Sequence, residues 1–157
     1  MKNQLNYYNN LPQKRSASGA LFLNKKGEVL LVKPTYKDGW GIPGGTVENN
    51  ESPLLACKRE TKEELGLTLK NFKFLLAYYQ PKATKPECYH FVFYGGVLST
   101  KEAAKIRLPE KELSEFKFFK PSIAAKLTSK ETGEKILAGI KIIKSKKAEY
   151  LESTATN

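Results

Sequence analysis

The chain is poor in the residues that most enzymes use for catalysis. It has one histidine, His90, and one aspartate, Asp38, in 157 residues, with two cysteines, Cys57 and Cys88, and a single tryptophan. One histidine excludes a two-histidine metal site, and the cysteines lack the paired spacing of a zinc site. A Ser-His-Asp triad would need His90 and Asp38 to meet at one serine, and no GxSxG turn presents such a serine. No apolar run approaches the ~20 residues of a membrane span, so no membrane partner is expected. The first residues, Met1 to Tyr8, lack the apolar stretch of a secretory signal, and two scattered thiols predict a reduced, cytoplasmic protein. If the chain is an enzyme, glutamate, lysine, arginine and tyrosine must carry its chemistry.

Charge is present in excess of one sign. Lys and Arg number 27 against 16 acids, a net charge of +11. Such a field draws in anions, so phosphorylated ligands or nucleic acid are natural partners. Most single lysines need no explanation beyond a solvated surface. Residues 117–147 hold nine lysines and two acids, so the excess is concentrated late.

The length suits one domain, assigned here to 16–157, with residues 1–15 as an Asn-, Gln- and Tyr-rich arm. Gly19–Leu23 and Val29–Val32 read as strands joined by a turn at Asn24–Glu28. Pro34–Gly45, with two prolines and four glycines, reads as a loop. Ser52-Pro53 predicts a helix start and Gly66 its end near Leu65. Phe72–Gln80, Cys88–Leu98 and Glu115–Phe119 read as strands, the second alternating Tyr89, Phe91 and Phe93 against Cys88, His90, Val92 and Tyr94. Past Pro121 the pattern turns helical, with Ile136, Leu137, Ile140 and Ile143 as the core stripe of a basic helix. The order predicts an α/β fold with a mixed sheet between helices.

Within the central helix, Glu60, Glu63 and Glu64 share about 100° of arc. Like charges at i+3 and i+4 repel, so helix stability gives no reason for them, whereas a hard divalent cation does. An acidic face salted by Lys58 and Lys62 would account for the helix alone. It would not account for the glycine turn and Glu51 ahead of it.

The stretch Gly45…Glu51…Arg59-Glu60-Thr61-Lys62-Glu63-Glu64-Leu65-Gly66-Leu67 resembles the Nudix box, G-x5-E-x7-R-E-U-x-E-E-x-G-U with U aliphatic. Every spacing matches, and only Thr61 departs from the aliphatic pattern. At ~6% per residue type, seven fixed identities over all registers of the chain arise by chance on the order of a few times in ten million. Trp40-Gly41-Ile42-Pro43-Gly44 leads into the box as in that family. The resemblance implies a Nudix-like α/β/α sandwich that hydrolyses the pyrophosphate bond of a nucleoside diphosphate linked to another group, with Mg²⁺ or Mn²⁺. It implies Glu60 and Glu64 as metal ligands and Glu63 as a further ligand or water-orienting group. The Gly44 carbonyl is expected on the metal, and Glu51 with Arg59 as a structural ion pair behind Gly45. A further acid from beyond the box is expected among Glu110, Glu112 and Glu115, with Glu115 the choice. Lys33, Tyr36 and Trp40 are the candidate substrate contacts, Trp40 equally a packing anchor. A small nucleotide derivative is the leading substrate and the 5′-triphosphate end of RNA the second. A non-catalytic nucleotide sensor is the reading from another class. The number of subunits is left open, a homodimer included.

Overall fold

The computed structural model describes residues 2–83 and 86–153. In chain order the elements are α1 (Lys2–Asn9), β1 (Arg15–Leu23), β2 (Val29–Pro34), β3 (Gly44–Thr46), α2 (Pro53–Leu65), β4 (Lys73–Gln80) and β5 (Cys88–Val97). Then follow α3 (Thr100–Ala103), β6 (Leu113–Phe119), α4 (Pro121–Leu127), α5 (Lys130–Ser145) and β7 (Glu149–Glu152).

Seven strands form one sheet in the order β6-β2-β1-β5-β4-β7, with β3 paired to β1 off that path. β1–β5 and β4–β7 are parallel and the remaining pairs antiparallel, giving a mixed sheet. Strand alternation divides its apolar residues between two cores. Ala20, Phe22, Leu30, Val32 and Phe93 face Cys57 and Leu65 of α2. Leu21, Val29, Leu31, Leu76 and Val92 face Ala124 of α4 with Ile136 and Ile142 of α5. This is the expected α/β/α sandwich.

Local signals set the boundaries of α2. The Ser52 hydroxyl accepts from the Leu55 N–H, Pro53 stands in the first turn, and Gly66 closes the helix in the left-handed region at φ 68°. Each needs only neighbours in sequence, so each was readable there.

Several features depart from the sequence reading. Residues 2–9, within the arm, form α1, with Tyr7 and Tyr8 exposed. The chain after α5 adds β7 in parallel beside β4, a strand with no apolar alternation to announce it. The buried face of α5 is rotated from the expected stripe. Leu137 is 44% exposed, while Lys135, Gly139 and Ile142 are buried. The cause is close packing at two glycines. A Cβ at Gly139 would strike the Leu21 side chain, and one at Gly133 would strike the Ala125 carbonyl of α4. The helix seats itself where its surface is thinnest.

That packing can be tested at Gly133. Alanine there gains up to ~1 kcal/mol of helix propensity, but a backbone carbonyl cannot move aside as a side chain can. Gly133→Ala should therefore lose about 1–3 kcal/mol net, as overpacked sites do, read as a lower urea midpoint with unchanged slope. A midpoint equal to or above the parent's would show that α4 and α5 can part at no cost.

Candidate active site

β3 and α2 build the site together. Gly44 and Gly45 pair with Gly19 and Ser18 of β1, so the glycine strand is fixed to the centre of the sheet. The Ser18 hydroxyl donates to the Pro53 carbonyl at 2.6 Å and ties the start of α2 to the same strand. Gly44 adopts φ 148°, and a Cβ there would collide with the Ser18 carbonyl. A Cβ on Gly45 would collide with the Glu60 carboxylate. Gly44 admits no other residue, whereas a side chain at Gly45 would force the Glu60 carboxylate to move.

The acids of α2 lie against this bare backbone. Glu64 accepts from the Gly44 N–H at 2.8 Å. Burial pushes its carboxyl up to about 7, helped by the charges of Glu60 and Glu112 and opposed by the Gly44 bond and Lys37. Burial also raises Glu60, against the pull of Arg59. Glu63 is the most exposed of the three, its side chain 55% accessible.

Arg59 is the hub. Its Nε and Nη2 donate to the two Glu51 oxygens at 2.9 and 3.0 Å, the paired geometry that holds a guanidinium in place. The remaining nitrogen, Nη1, donates to Glu60 at 2.8 Å and Glu63 at 3.0 Å, and Nη2 also reaches the Thr46 carbonyl at 3.0 Å. Glu51 returns a bond to the Glu48 N–H, and its carboxyl is held below the usual range, first by Arg59 and then by that amide. The resemblance to the Nudix box implied the Glu51–Arg59 pair. It did not point to the grip on Glu60 and Glu63, which depends on how the side chain coils back along its own helix.

Among the described residues, no three acid, histidine or cysteine side chains stand in metal-ligand geometry. The positions explain it. Arg59 draws Glu60 and Glu63 to one side while the Gly44 amide holds Glu64 on the other. The donor set still suits a hard divalent ion: carboxylates half-buried together against glycines, with pKa values raised by burial and by their neighbours.

Beyond the box, the candidates separate. Glu115 pairs in register with Lys33 on the face of the sheet that carries Trp40 and Phe119, and its carboxylate lies 3.8 Å from Lys117. It is turned away from α2. Glu112, in the turn before β6, is the acid whose charge acts on Glu64. The Glu112 carbonyl accepts from the Thr35 N–H at 2.9 Å, which fixes that turn to the loop after β2. Glu115, the choice from sequence, is separated from the turn that holds Glu112 by a register irregularity between Lys33 and Pro34.

Lys33 and Tyr36 line an open cleft of about 550 Å³ with Thr35, Lys37 and Ser114. Trp40 does not. Its ring packs edge-on against Phe119 at 5.0 Å, with the Lys33 ammonium over it at 5.9 Å, so the packing role is the one observed.

The sandwich and its acid-bearing helix on a glycine strand define an enzyme of the Nudix pyrophosphohydrolase class. The chain belongs to the NUDIX domain family, whose model matches residues 13–139. It is 36% identical over 112 residues to an RNA pyrophosphohydrolase of Hydrogenovibrio crunogenus, covering 62% of this chain and 67% of that one. It is 38% identical over 61 residues to an RNA pyrophosphohydrolase of Ruthia magnifica, covering 39% of this chain and only 34% of the relative. The fold resembles the crystal structure of a MutT protein from Methanosarcina mazei, at TM-score 0.70 and 22% identity, covering 87% of this chain and 100% of that one. Hydrolases of this family generally use divalent metals. Among the described residues, no helix is long and apolar enough to cross a membrane.

Arg59 fixes the loop and two of the acids at once, so its loss should be felt in both fold and chemistry. Arg59→Ala should lower the melting temperature and cut turnover about a hundredfold, the scale of a misplaced site. Arg59→Lys should not rescue it, because an ammonium cannot bridge Glu51 in two places. An alanine variant that melts like the parent yet is inactive would assign Arg59 to the chemistry instead.

Proposed function

We propose that the domain, residues 16–157 with 1–15 as its arm, hydrolyses a pyrophosphate bond in a nucleotide-derived substrate with Mg²⁺ or Mn²⁺. The observation that carries this is the pair Glu60 and Glu64, partly buried one helical turn apart, the first where a Gly45 Cβ would stand and the second on the Gly44 amide. Glu60 and Glu64 would hold the cation with the Gly44 carbonyl, and Glu63 would be a further ligand or orient water. A bound divalent ion neutralises phosphoryl oxygens and lowers the pKa of water. Glu112, facing Glu64 from the opposite turn, takes the place given to Glu115 and would accept the proton of the attacking water. Lys37, whose charge acts on Glu64, would meet the outer phosphates along the cleft, with Tyr36 as an exposed ring at its rim, while Lys33 is turned to Trp40 on the other face. The free, buried Cys57 and Cys88 suit a reducing, cytoplasmic setting.

Glu64→Gln tests the centre of this. Glu64 has a folded pKa of about 7 against 4.5 for the free group. The folded protein therefore holds a proton that the unfolded chain releases, and metal-free stability falls as pH rises through that window. In EDTA at pH 8 the glutamine variant should melt at or above the parent and lose that part of the pH slope. With Mg²⁺ the parent's melting temperature should rise and the variant's hardly change, while turnover drops by roughly a thousandfold or more. Glu112→Gln should lose more activity than Glu115→Gln. Full activity and an unchanged Mg²⁺ shift in Glu64→Gln would refute the metal site.

A second reading, in which the substrate is the 5′-triphosphate end of RNA, is favoured by the names of the two relatives and by the net charge of +11. Its mark is salt. Binding of a 5′-triphosphorylated oligonucleotide should weaken steeply, with a log–log slope of about −0.7 per phosphate neutralised. A flat salt response beside turnover of mononucleotide-sized substrates would leave the small-substrate reading.

A further inference from the structure

A second concavity, of about 460 Å³, lies between the β1–β2 turn, α3 and β6. Its volume falls within the roughly 300–1,000 Å³ of ligand sites. Phe116 and Phe118 of β6 line it with Leu98 and Ala103, and all four pack on the core beneath α2. Both rings stay half-buried because nothing covers β6 on this face. α2 lies over β1 at the centre of the sheet, and α3 has only four residues. The groove also stands apart from the acids. β3 holds Gly44 beside Gly19, and the β1–β2 turn begins after Leu23, about 13 Å further along the strand.

The rim is basic. Lys25 and Lys26 line it, and Lys101 and Lys105 are exposed on α3 and just after it. Among the described residues, none of these four is ion-paired. The neighbouring acids are engaged elsewhere. Glu28 accepts from the Asn24 side-chain amide at 2.7 Å, and Glu102 accepts from the Ser99 N–H and hydroxyl at 2.8 and 2.6 Å.

Two polar side chains of the lining are engaged as well. Asn24 Oδ1 accepts from the Lys26 and Glu28 N–H groups, and Ser99 Oγ from the Glu102 N–H. What remains for an occupant is apolar contact below and positive charge around.

We propose that this groove docks a protein partner through an acidic segment carrying one large apolar side chain. A phenylalanine or leucine would enter against Phe116, Phe118 and Leu98, while flanking carboxylates meet Lys25 and Lys26. Three considerations select that chemistry. A nucleic-acid strand would bring the charge, but the polar edges of its bases would lose water to a lining whose own polar groups are engaged. A second copy of a chain with net charge +11 would bring like charge to a lysine rim. An acidic segment gains from the rim, and its apolar side chain covers rings that now face water. The docking does not rest on the hydrolytic reading, and it leaves the acids of α2 open to substrate.

The probe is a fluorescein-labelled peptide of six acidic residues around one phenylalanine, followed by fluorescence anisotropy. The parent should bind it roughly tenfold or more tightly than the same peptide with alanine at the centre, the scale of burying one large side chain. Ala104→Trp fills the groove from an exposed position. It should weaken binding about tenfold while melting like the parent. Lys25→Glu with Lys26→Glu should weaken it too, whereas Lys141→Glu with Lys144→Glu, on the exposed side of α5, should not. Equal affinity for the two peptides overturns the proposal, because charge alone then does the binding. So does binding untouched by Ala104→Trp, or weakened as much by the α5 pair as by the rim pair. Displacement of the peptide by an oligouridylate of equal charge would assign the groove to nucleic acid. Self-association of the parent in sedimentation, lost in Ala104→Trp, would assign it to a second copy. Either result overturns the acidic partner. If the tryptophan variant does not fold, the ratio of the two peptides and the rim pair decide.

Discussion

A carboxylate can rest against peptide backbone only where no Cβ intervenes. At Gly45 the Glu60 carboxylate takes the place of a Cβ, and at Gly44 the bare backbone packs on the Ser18 carbonyl of β1. The rest of the site follows from this contact. It sets how near α2 can approach the sheet, and so how deeply Glu60 and Glu64 are withdrawn from water. It also turns the Gly44 amide toward Glu64, the one hydrogen bond that opposes the burial of that acid. A side chain on Gly45 would displace the Glu60 carboxylate, and one on Gly44 would force β3 from β1.

Arg59 resolves the tension this creates. Four glutamates in fourteen residues of sequence would repel strongly if left alone. One guanidinium divides its donors between Glu51, Glu60 and Glu63, and each carboxylate screens the others' claim on it. The arrangement is a poised one: Glu51 is held by both its oxygens and an amide, whereas Glu60 and Glu63 share a single nitrogen. The firm contact anchors the loop. The shared contact leaves the acids that would meet a cation free to exchange partners.

The parts of this that could be read from sequence are those whose causes are local. The Ser52 cap, Pro53 and the left-handed Gly66 act within one or two turns, so both ends of α2 were legible. The acidic arc was legible for the same reason. Three features were not, and each depends on distant partners. β7 is held by β4, some seventy residues earlier, and Glu149-Tyr150-Leu151-Glu152 has too little apolar content to show it. The face of α5 is chosen by the Leu21 and Ala125 atoms that fit its glycines, which moved Leu137 out and Lys135 in. The charge of Glu112, and not that of Glu115, reaches Glu64, and the register slips between Lys33 and Pro34, a break that composition does not record.

The borders of the sheet have a consequence for the protein in a crowded solution. β6 and β7 are its outermost strands, and an outermost strand offers unpaired amides to any passing chain. On one side stands a four-residue strand with a glutamate at each end. On the other, Glu115 and Lys117 point from the middle of β6. A second molecule adding its own strand at either border would have to bury those charges, and could pair with only a few residues of β7. The same short, polar segment that hid β7 from the sequence reading thus weighs against growth of the sheet from molecule to molecule.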